Sequence, residues 1–561
     1  MLDSGGVSEQ MTGWSKGTER TAGVPLWQWA VAAVVAGVCL ISGLDAIGLV
    51  GPDEPRYAEV AREMAVTGDW VTPRLWGTAW LEKPVLYYWG AAAAMRVFGV
   101  DEFAARLPSA LAALLALLGL VWAALRQYGA RTAWAVALIF PTCVGVIGFA
   151  RAAGPDMMFA AALALAMVMG AALVELNGAA EKMAAGSGRY TKSEEKREKM
   201  GLRIALGVAL GAATLVKGPA AIVLAGGSVL LWATTTRRWR AALGLLHPWA
   251  IAAWAATSLP WYVMCARRNP EFVRVFLIEH NFERYLTPVF RHEQPVWFFV
   301  PVVLIGLLPW TVLLAGVARD GWRAWKQKSW AGSPAFFYAC WAVWPVVFFS
   351  LSKSKLPGYV LPVVAPVVMV MASVFTRNTK QELCNRSWTL LCVGLTLCMT
   401  AWVWIVIPVY RASDHSQTIE SVILASLAAT LGGLLVSGLA VFRRASYATL
   451  LAAILLTSMV AFANRRVLHK LDAVFSAREA AKAAGGEPAR ENLYVYKVHR
   501  AWKYGLEFYQ RKELKEWTGD TWLPAWVYTT QSGIEELEKQ GRAVKVVKGR
   551  SREAMLVYVY K

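Results

Sequence analysis

The sequence predicts a polytopic α-helical membrane protein with about 13 transmembrane helices and a small C-terminal α/β domain. Three observations lead there. Hydrophobic residues make up 57% of the 561 positions and charged residues only 17%, against about 25% charged in soluble proteins. Apolar runs near the length of a membrane crossing, about 20 residues, recur along most of the chain. Tryptophan occurs 28 times, and this side chain favours the water–lipid interface, where ring and N–H are both satisfied. Disorder and an ordinary soluble enzyme are excluded by the same numbers.

Taken in order, the runs fall near 27–48, 104–125, 132–150, 157–176, 202–216, 219–235, 247–265, 296–317, 334–351, 358–375, 387–409, 421–441 and 447–464. The 202–235 pair is short and split at Lys217-Gly218-Pro219. The first run follows a polar tail and is long enough to be a true span rather than a cleaved signal. With the N-terminus inside, the cytoplasmic loops carry Arg126 and Arg131, Lys182 through Arg203, Arg237 to Arg240, Arg319 to Lys328, Arg377 to Arg386, and Arg443 with Arg444. Every one is basic, as the positive-inside rule requires. Much of the net charge of +20 therefore sets topology and gives no reason to expect a nucleic-acid partner. The seven cysteines form no CxxC pair and read as small apolar residues.

An odd number of spans places the C-terminus outside and divides the chain into 1–464, the membrane domain, and 465–561, the α/β domain. In the latter, Glu491–Val498, Ala525–Thr530, Ala543–Lys548 and Ala554–Tyr560 read as strands, and Leu471–Ala484 and Ile534–Gln540 as helices. Two further outer segments are long, 49–103 and 266–295.

The first outer loop holds the densest chemistry. Tyr57, Val60, Ala61 and Met64 share one helical face and Arg56, Glu59, Arg62 and Glu63 the other, an amphipathic helix suited to the membrane surface. Asp53 stands at its start, where an aspartate serves as an N-cap, as a catalytic carboxylate, or as both. Glu82-Lys83-Pro84 opens a second helix over Val85–Phe98. A lysine beside a helix N-terminus is either an anion site or a solvated charge. Trp76, Trp80, Tyr87, Tyr88 and Trp89 around it anchor the interface or stack on a sugar or lipid. Arg151, Asp156, Lys217, Glu279, His280, Arg284, His292, Lys353, Lys355 and Tyr359 fall at the outer ends of other spans, and ionisable groups at that depth are functional candidates. Carboxylates, cations and aromatics on one membrane face suit transfer of a group from a phosphate-bearing donor. There is no Walker A loop or dinucleotide fingerprint, so the donor is expected to be lipid-linked.

The ordered series Asp53-Glu54-Pro55-Arg56-Tyr57, Gly68-Asp69-Trp70, Glu82-Lys83-Pro84 with Tyr87-Tyr88-Trp89, Arg106-Leu107-Pro108-Ser109, Glu279-His280 with Arg284, His292 with Pro295, and Lys355-Leu356-Pro357-Gly358-Tyr359 resembles the GT-C glycosyltransferases of the aminoarabinose transferase and protein O-mannosyltransferase superfamily. The resemblance covers roughly 27–375. It implies a bacterial inner-membrane enzyme with a periplasmic active site and C-terminus. Its donor is expected to be an undecaprenyl or other polyprenyl phosphate sugar, and its acceptor lipid A, a protein or a glycan. It also implies Asp53, Lys83 and Asp156 as catalytic, Lys83 as the phosphate-binding lysine, and Arg56, Tyr57, Tyr87, Arg284, Lys355 and Tyr359 as donor-binding. Glu82 and His280 resemble a pair that holds a structural divalent metal such as zinc, and no cofactor is implied for catalysis. Val85 replaces a second proline common after Lys-Pro, and Trp80 replaces a tyrosine, which leaves the sugar open. Transfer of 4-amino-4-deoxy-L-arabinose to lipid A is the leading expectation, with mannosyl transfer the alternative. A flippase is the third, disfavoured by the absence of an internal repeat.

Overall fold

The computed structural model describes residues 23–183, 192–287, 293–378, most of 427–439, 445–484, 492–518, 521, 523–548 and 553–560. Helix covers most of every expected span lying wholly within these residues, the first ending at Leu40 rather than at 48. The run 387–409 and about half of 421–441, together with His292, lie outside the described residues. Among the described residues five helices are long and apolar enough to cross a membrane: Glu102–Gln127, Pro155–Glu175, Ser193–Lys217, Pro357–Thr376 and Tyr447–Phe475. Leu26–Leu40, Ala220–Thr236 and Pro334–Ser350 are apolar but shorter.

Two expected spans are not straight rods. Ala130–Thr142 and Val144–Ala150 meet at 61°, and Val296–Gly306 and Trp310–Lys326 at 112°. Counting each pair as one span gives up to seven among the described residues by length and composition, which leaves the expected number near 13 unconfirmed. The breaks have local causes. Pro309 has no N–H to give and crowds the preceding turn. At the other break Cys143 is extended, and the freed Val144 N–H donates to Leu308 O at 2.9 Å. The two breaks thus satisfy one another. A Cβ on Gly145 would sit 3.1 Å from the Gly306 backbone, so this contact needs a residue without a side chain.

The outer loop 49–103 folds as two helices, Asp53–Thr67 and Leu86–Phe98, flanking a two-stranded hairpin, β1 (Arg74–Leu75) and β2 (Thr78–Ala79). The sequence reading missed the hairpin. Its turn residues Trp76 and Gly77 both have positive φ, 52° and 76°, the two-residue turn that matches strand twist. Their amides donate to the buried Glu63 carboxylate. The first helix does not lie free on the membrane surface as its pattern suggested. Tyr57, Val60, Ala61 and Met64 are buried, and so are Glu59 and Glu63, because the helix is sandwiched between Leu86–Phe98 and the C-terminal helix Arg500–Gln510.

The last span continues past residue 464 to Phe475 without interruption. Beyond it β3 (Leu493–Tyr496), β4 (Lys515–Glu516), β5 (Ala525–Thr529), β6 (Ala543–Lys548) and β7 (Met555–Tyr560) form one sheet in the order β4-β3-β5-β7-β6. β3 is parallel to β4 and β5, and the remaining pairs are antiparallel. Alternation splits the strands between two cores: Leu493, Val495, Tyr528 and Leu556 on one face, Ala525, Val527, Val557 and Val559 on the other. The helix expected over 471–484 is broken at Ser476, and Arg500–Gln510 is an additional helix.

The loop is joined to the Glu102–Gln127 helix at a buried ion pair. Arg106 Nη2 donates to Glu54 Oε2 at 2.7 Å and to Gly48 O at 2.8 Å, and Nη1 to Leu44 O and Ile47 O at 2.7 and 2.6 Å. Glu54 also accepts from Val50 N and Ala153 N, both at 2.7 Å. Removing one partner of such a pair strands a buried charge, which costs about 3–5 kcal/mol. Arg106→Ala is therefore expected to lower the unfolding temperature in detergent clearly, and more than Arg96→Ala on the exposed end of Leu86–Phe98. Equal unfolding temperatures would refute a structural role for the pair.

Candidate active site

The Asp53–Thr67 helix presents Asp53 and Glu54 in different directions, since successive helical residues point about 100° apart. Glu54 goes into the buried pair. Asp53 is the first helical residue, and its side chain caps no N–H, so the cap reading fails. Instead it accepts from Arg56 Nη2 at 2.5 Å, with 59% of its side chain exposed. The Arg56 guanidinium lies 4.9 Å from the Trp80 ring centre, 5.5 Å from Tyr57 and 5.8 Å from Tyr504. Three aromatic faces around one guanidinium favour it electrostatically and hold it beside Asp53.

A second ion pair faces this one. Asp156, in the first turn of Pro155–Met183, pairs with Lys217, the last residue of Lys192–Lys217. Gly218, at φ 66°, turns the chain there. Lys217 Nζ also lies 5.1 Å from the Phe159 ring and 5.7 Å from that of Tyr359. Arg284 approaches the same Tyr359 ring at 5.9 Å. Tyr359 comes from the Pro357–Val363 turn, whose Gly358 sits against Asp156; a Cβ there would fall 2.9 Å from the carboxylate carbon. Close approach to Asp156 thus explains the glycine of the Lys-Leu-Pro-Gly-Tyr motif.

Lys83 stands among these groups. Burial first, then the charges of Arg284 and Lys217, pulls its ammonium down to about 8, partly opposed by Glu82 and Asp156. His280 lies in the π-helix Val273–Glu283, a helix type that often marks functional sites. Its Nε2 is 4.0 Å from Glu82 Oε1. Burial, then Lys83 and Arg284, pulls the imidazole down to about 4, so it is neutral near pH 7, the form that ligates metals. One carboxylate and one imidazole fall short of the four protein ligands of a closed structural zinc site. No group of three potential ligands occurs among the described residues, and His292, in the same segment, lies outside them.

Two expected donor-binding residues lie elsewhere. Tyr87 is buried and spends its hydroxyl on Ala105 O at 2.8 Å, so it packs the loop onto the Glu102–Gln127 helix. Its neighbour Tyr88, equally buried, has a hydroxyl without a partner among the described residues, and Tyr57, Glu82 and Arg56 are the charged or polar groups around it. Lys355 is buried, and its Nζ donates to Ser352 O at 2.5 Å. The turn it closes lies beside Lys353 and Glu293, apart from Lys83. The sequence reading also missed Tyr504. It sits on Arg500–Gln510, whose Phe508 and Tyr509 pack into the loop core; the helical spacing of 504 and 508 was the available signal.

A family model described as dolichyl-phosphate-mannose-protein mannosyltransferase matches residues 46–276. The undecaprenyl phosphate-α-4-amino-4-deoxy-L-arabinose arabinosyl transferase of Edwardsiella ictaluri is 34% identical over 63% of this chain and 60% of its own. That of Pseudomonas aeruginosa is 29% identical over 86% of this chain and 87% of its own. The match thus spans about 60% of the length of the Edwardsiella relative. The crystal structure of ArnT from Cupriavidus metallidurans bound to undecaprenyl phosphate superposes with a TM-score of 0.74 at 26% identity, covering 95% of this chain and 97% of that one. Fold and site together define a multi-pass membrane protein of the GT-C glycosyltransferase superfamily. Within it, the chain is similar to the aminoarabinose transferases, in sequence and across nearly the whole fold.

The electrostatics of the site give a direct check. Because Lys83 adds to burial in holding the His280 imidazole down, Lys83→Gln is expected to raise the His280 titration above about 4, with burial keeping it below the ordinary value near 6.5. Histidine NMR titration in detergent, assigned with His280→Gln, measures it. An unmoved midpoint would mean that the two side chains do not face each other.

Proposed function

We propose that the chain transfers 4-amino-4-deoxy-L-arabinose from undecaprenyl phosphate to lipid A, at the periplasmic face of the bacterial inner membrane. The observation that carries this reading is the arrangement of charge at one end of an apolar bundle. Arg56 offsets Asp53 and Lys217 offsets Asp156, and Lys83 stands among Arg284, Lys217, Glu82 and Asp156. Cations thus gather at this end of the bundle, as a departing lipid phosphate requires. The aminoarabinose relatives and the undecaprenyl-phosphate-bound structural neighbour supply the donor and sugar class.

The reaction is a single displacement. An acceptor oxygen attacks the anomeric carbon, the bond to the lipid phosphate oxygen breaks, and its electron pair leaves on that phosphate. Lys83, Arg284 and Lys217 stabilise the charge arriving there, and Tyr359, between two of these cations, fixes their spacing. A lipid A phosphate is already anionic near pH 7, so no base is needed; Asp53 then orients the acceptor and the donor sugar. A protein hydroxyl would instead have to give its proton to Asp53. That second reading, mannosyl transfer to protein, is favoured only by the match of residues 46–276 to the mannosyltransferase family model.

Mass spectrometry of lipid A from cells expressing the chain tests the assignment. An added aminodeoxypentose is expected with the wild-type chain and none with Asp53→Ala or Lys83→Ala, both present at wild-type level in membranes. Unmodified lipid A alongside newly mannosylated protein would overturn the lipid A assignment in favour of mannosyl transfer to protein.

Lys83 must be charged to meet the phosphate, and its ammonium titrates at about 8. Activity is therefore full below that pH and falls as pH rises through it. In Lys83→Arg the basic limb should move upward by more than one pH unit, since a guanidinium does not deprotonate in this range; a limb in the same place assigns it to another group.

Tyr504 tests the wall supplied by the C-terminal domain. A cation–π contact contributes about 0.5–2 kcal/mol, so Tyr504→Ala is expected to lower kcat roughly tenfold with little change in donor KM, and Tyr504→Phe to retain activity. Equal loss in both would assign Tyr504 a role other than holding Arg56.

A further inference from the structure

The Glu54–Arg106 pair has a second side. Opposite Asp53, the segment after the first span, the short helix Val144–Ala150 and Leu468 enclose a cavity of about 420 Å³, within the range of small-ligand sites. Its walls are mostly apolar: Leu44, Ile47, Ile147, Ala152 and Leu468, with Arg151 as the polar anchor. Glu54 and Arg106 also line it but neutralise each other.

Arg151 supplies the uncompensated charge. It donates to Ser42 O at 2.7 Å, Gly43 O at 2.8 Å and Asn464 Oδ1 at 2.6 Å, all neutral acceptors. No carboxylate lies within ion-pair distance of it among the described residues. These bonds use three of the five guanidinium donors, leaving Nε–H and one Nη1 N–H. A half-buried arginine in an apolar cavity, with donors to spare, matches a phosphate oxygen in charge and geometry. The wall it shares with Val144–Ala150 faces outward, since Val144 and Gly148 are exposed one turn apart. In a membrane-spanning chain that face meets lipid.

We propose that this cavity binds the phosphate of an anionic lipid, with Arg151 on the phosphate and the apolar walls against the first carbons of the lipid chains. Binding of a lipid phosphate here does not depend on the transferase reading; only the naming of an acceptor lipid as its source rests on that reading. Two sources share this chemistry, an anionic phospholipid of the bilayer and a phosphate-bearing acceptor lipid.

Gly148 allows a clean test. A Cβ there meets nothing within 4 Å, and Gly148 lines the cavity, so Gly148→Phe adds bulk at its wall without a clash at the Cβ. Native mass spectrometry of the full chain in detergent is run with phosphatidylglycerol and with diacylglycerol, which has the same tails and no phosphate. The wild-type chain is expected to retain one phosphatidylglycerol and no diacylglycerol, and Gly148→Phe to weaken retention at least tenfold at an unchanged unfolding temperature. Arg151→Gln, which removes the charge and keeps an amide donor, should weaken it likewise. Equal phosphatidylglycerol retention by the wild-type chain and either folded variant overturns the proposal, as does equal retention of diacylglycerol. Adding lipid A as competitor separates the sources: displacement of phosphatidylglycerol from the wild-type chain identifies the acceptor lipid, and undiminished retention identifies the bilayer phospholipid.

Discussion

The buried pair between Glu54 and Arg106 is the constraint on which the outer half of the molecule depends. Arg106 rises from the first turns of Glu102–Gln127, and Glu54 opens the Asp53–Thr67 helix. Between them they satisfy the carbonyls of Leu44, Ile47 and Gly48 and the amides of Val50 and Ala153. Those backbone groups belong to a turn with no regular ladder of its own, and buried unpaired groups there would be costly. One ion pair therefore fixes the exit of the first span, the start of the loop helix and the end of the third span together. The C-terminal domain fastens to the same point. Gly48 N donates to Asp472 Oδ1 at 2.8 Å, Leu49 N to Tyr509 OH at 2.9 Å, and Tyr509 and Arg478 both reach Glu102.

From that fixed start the electrostatics follow. The helix rotates Asp53 away from the buried side into the site, where Arg56 meets it. The same low-dielectric surroundings that depress Lys83 and His280 strengthen every charge interaction in the cluster. His280 is kept neutral by burial first and then by the cations around it, so it adds no further positive charge next to Lys83. The cost of crowding cations is carried by packing: aromatic rings lie against Arg56, Lys217 and Arg284, and a missing side chain at Gly358 lets Asp156 come close enough to hold Lys217.

How much of this was legible in the sequence depends on the range of each interaction. Spans and loop helices were readable because burial imposes a local period: Val85–Phe98 was expected and Leu86–Phe98 is found. Motif order brought Asp53, Lys83, Asp156, Arg284 and Tyr359 to one site. The failures concern residues whose partners are distant in sequence. Tyr87 and Lys355 carry the right chemistry but are claimed by backbone carbonyls of Ala105 and Ser352. Composition does not reveal which of two adjacent tyrosines turns its hydroxyl inward. The bend between Val296–Gly306 and Trp310–Lys326 was signalled by Pro309, yet its extent is set by the matching break at Cys143, more than 160 positions away.

Asp53 and Glu54 show why neighbouring carboxylates need not share a role. An exposed aspartate held only by Arg56 can change partners when a ligand arrives, because its charge is already solvated. A buried glutamate with three or more donors cannot, since each lost bond leaves a polar group without water. The fold thus assigns rigidity to one residue and availability to the next, through nothing more than the 100° step of a helix. Tyr504 extends the same logic. It contacts Arg56 rather than Asp53, so the C-terminal domain steadies the cation while leaving the carboxylate open. A domain that contributes a wall in this way must be docked before the site is complete, and the bonds it makes to Gly48 and Leu49 place that docking at the turn leading directly into Asp53.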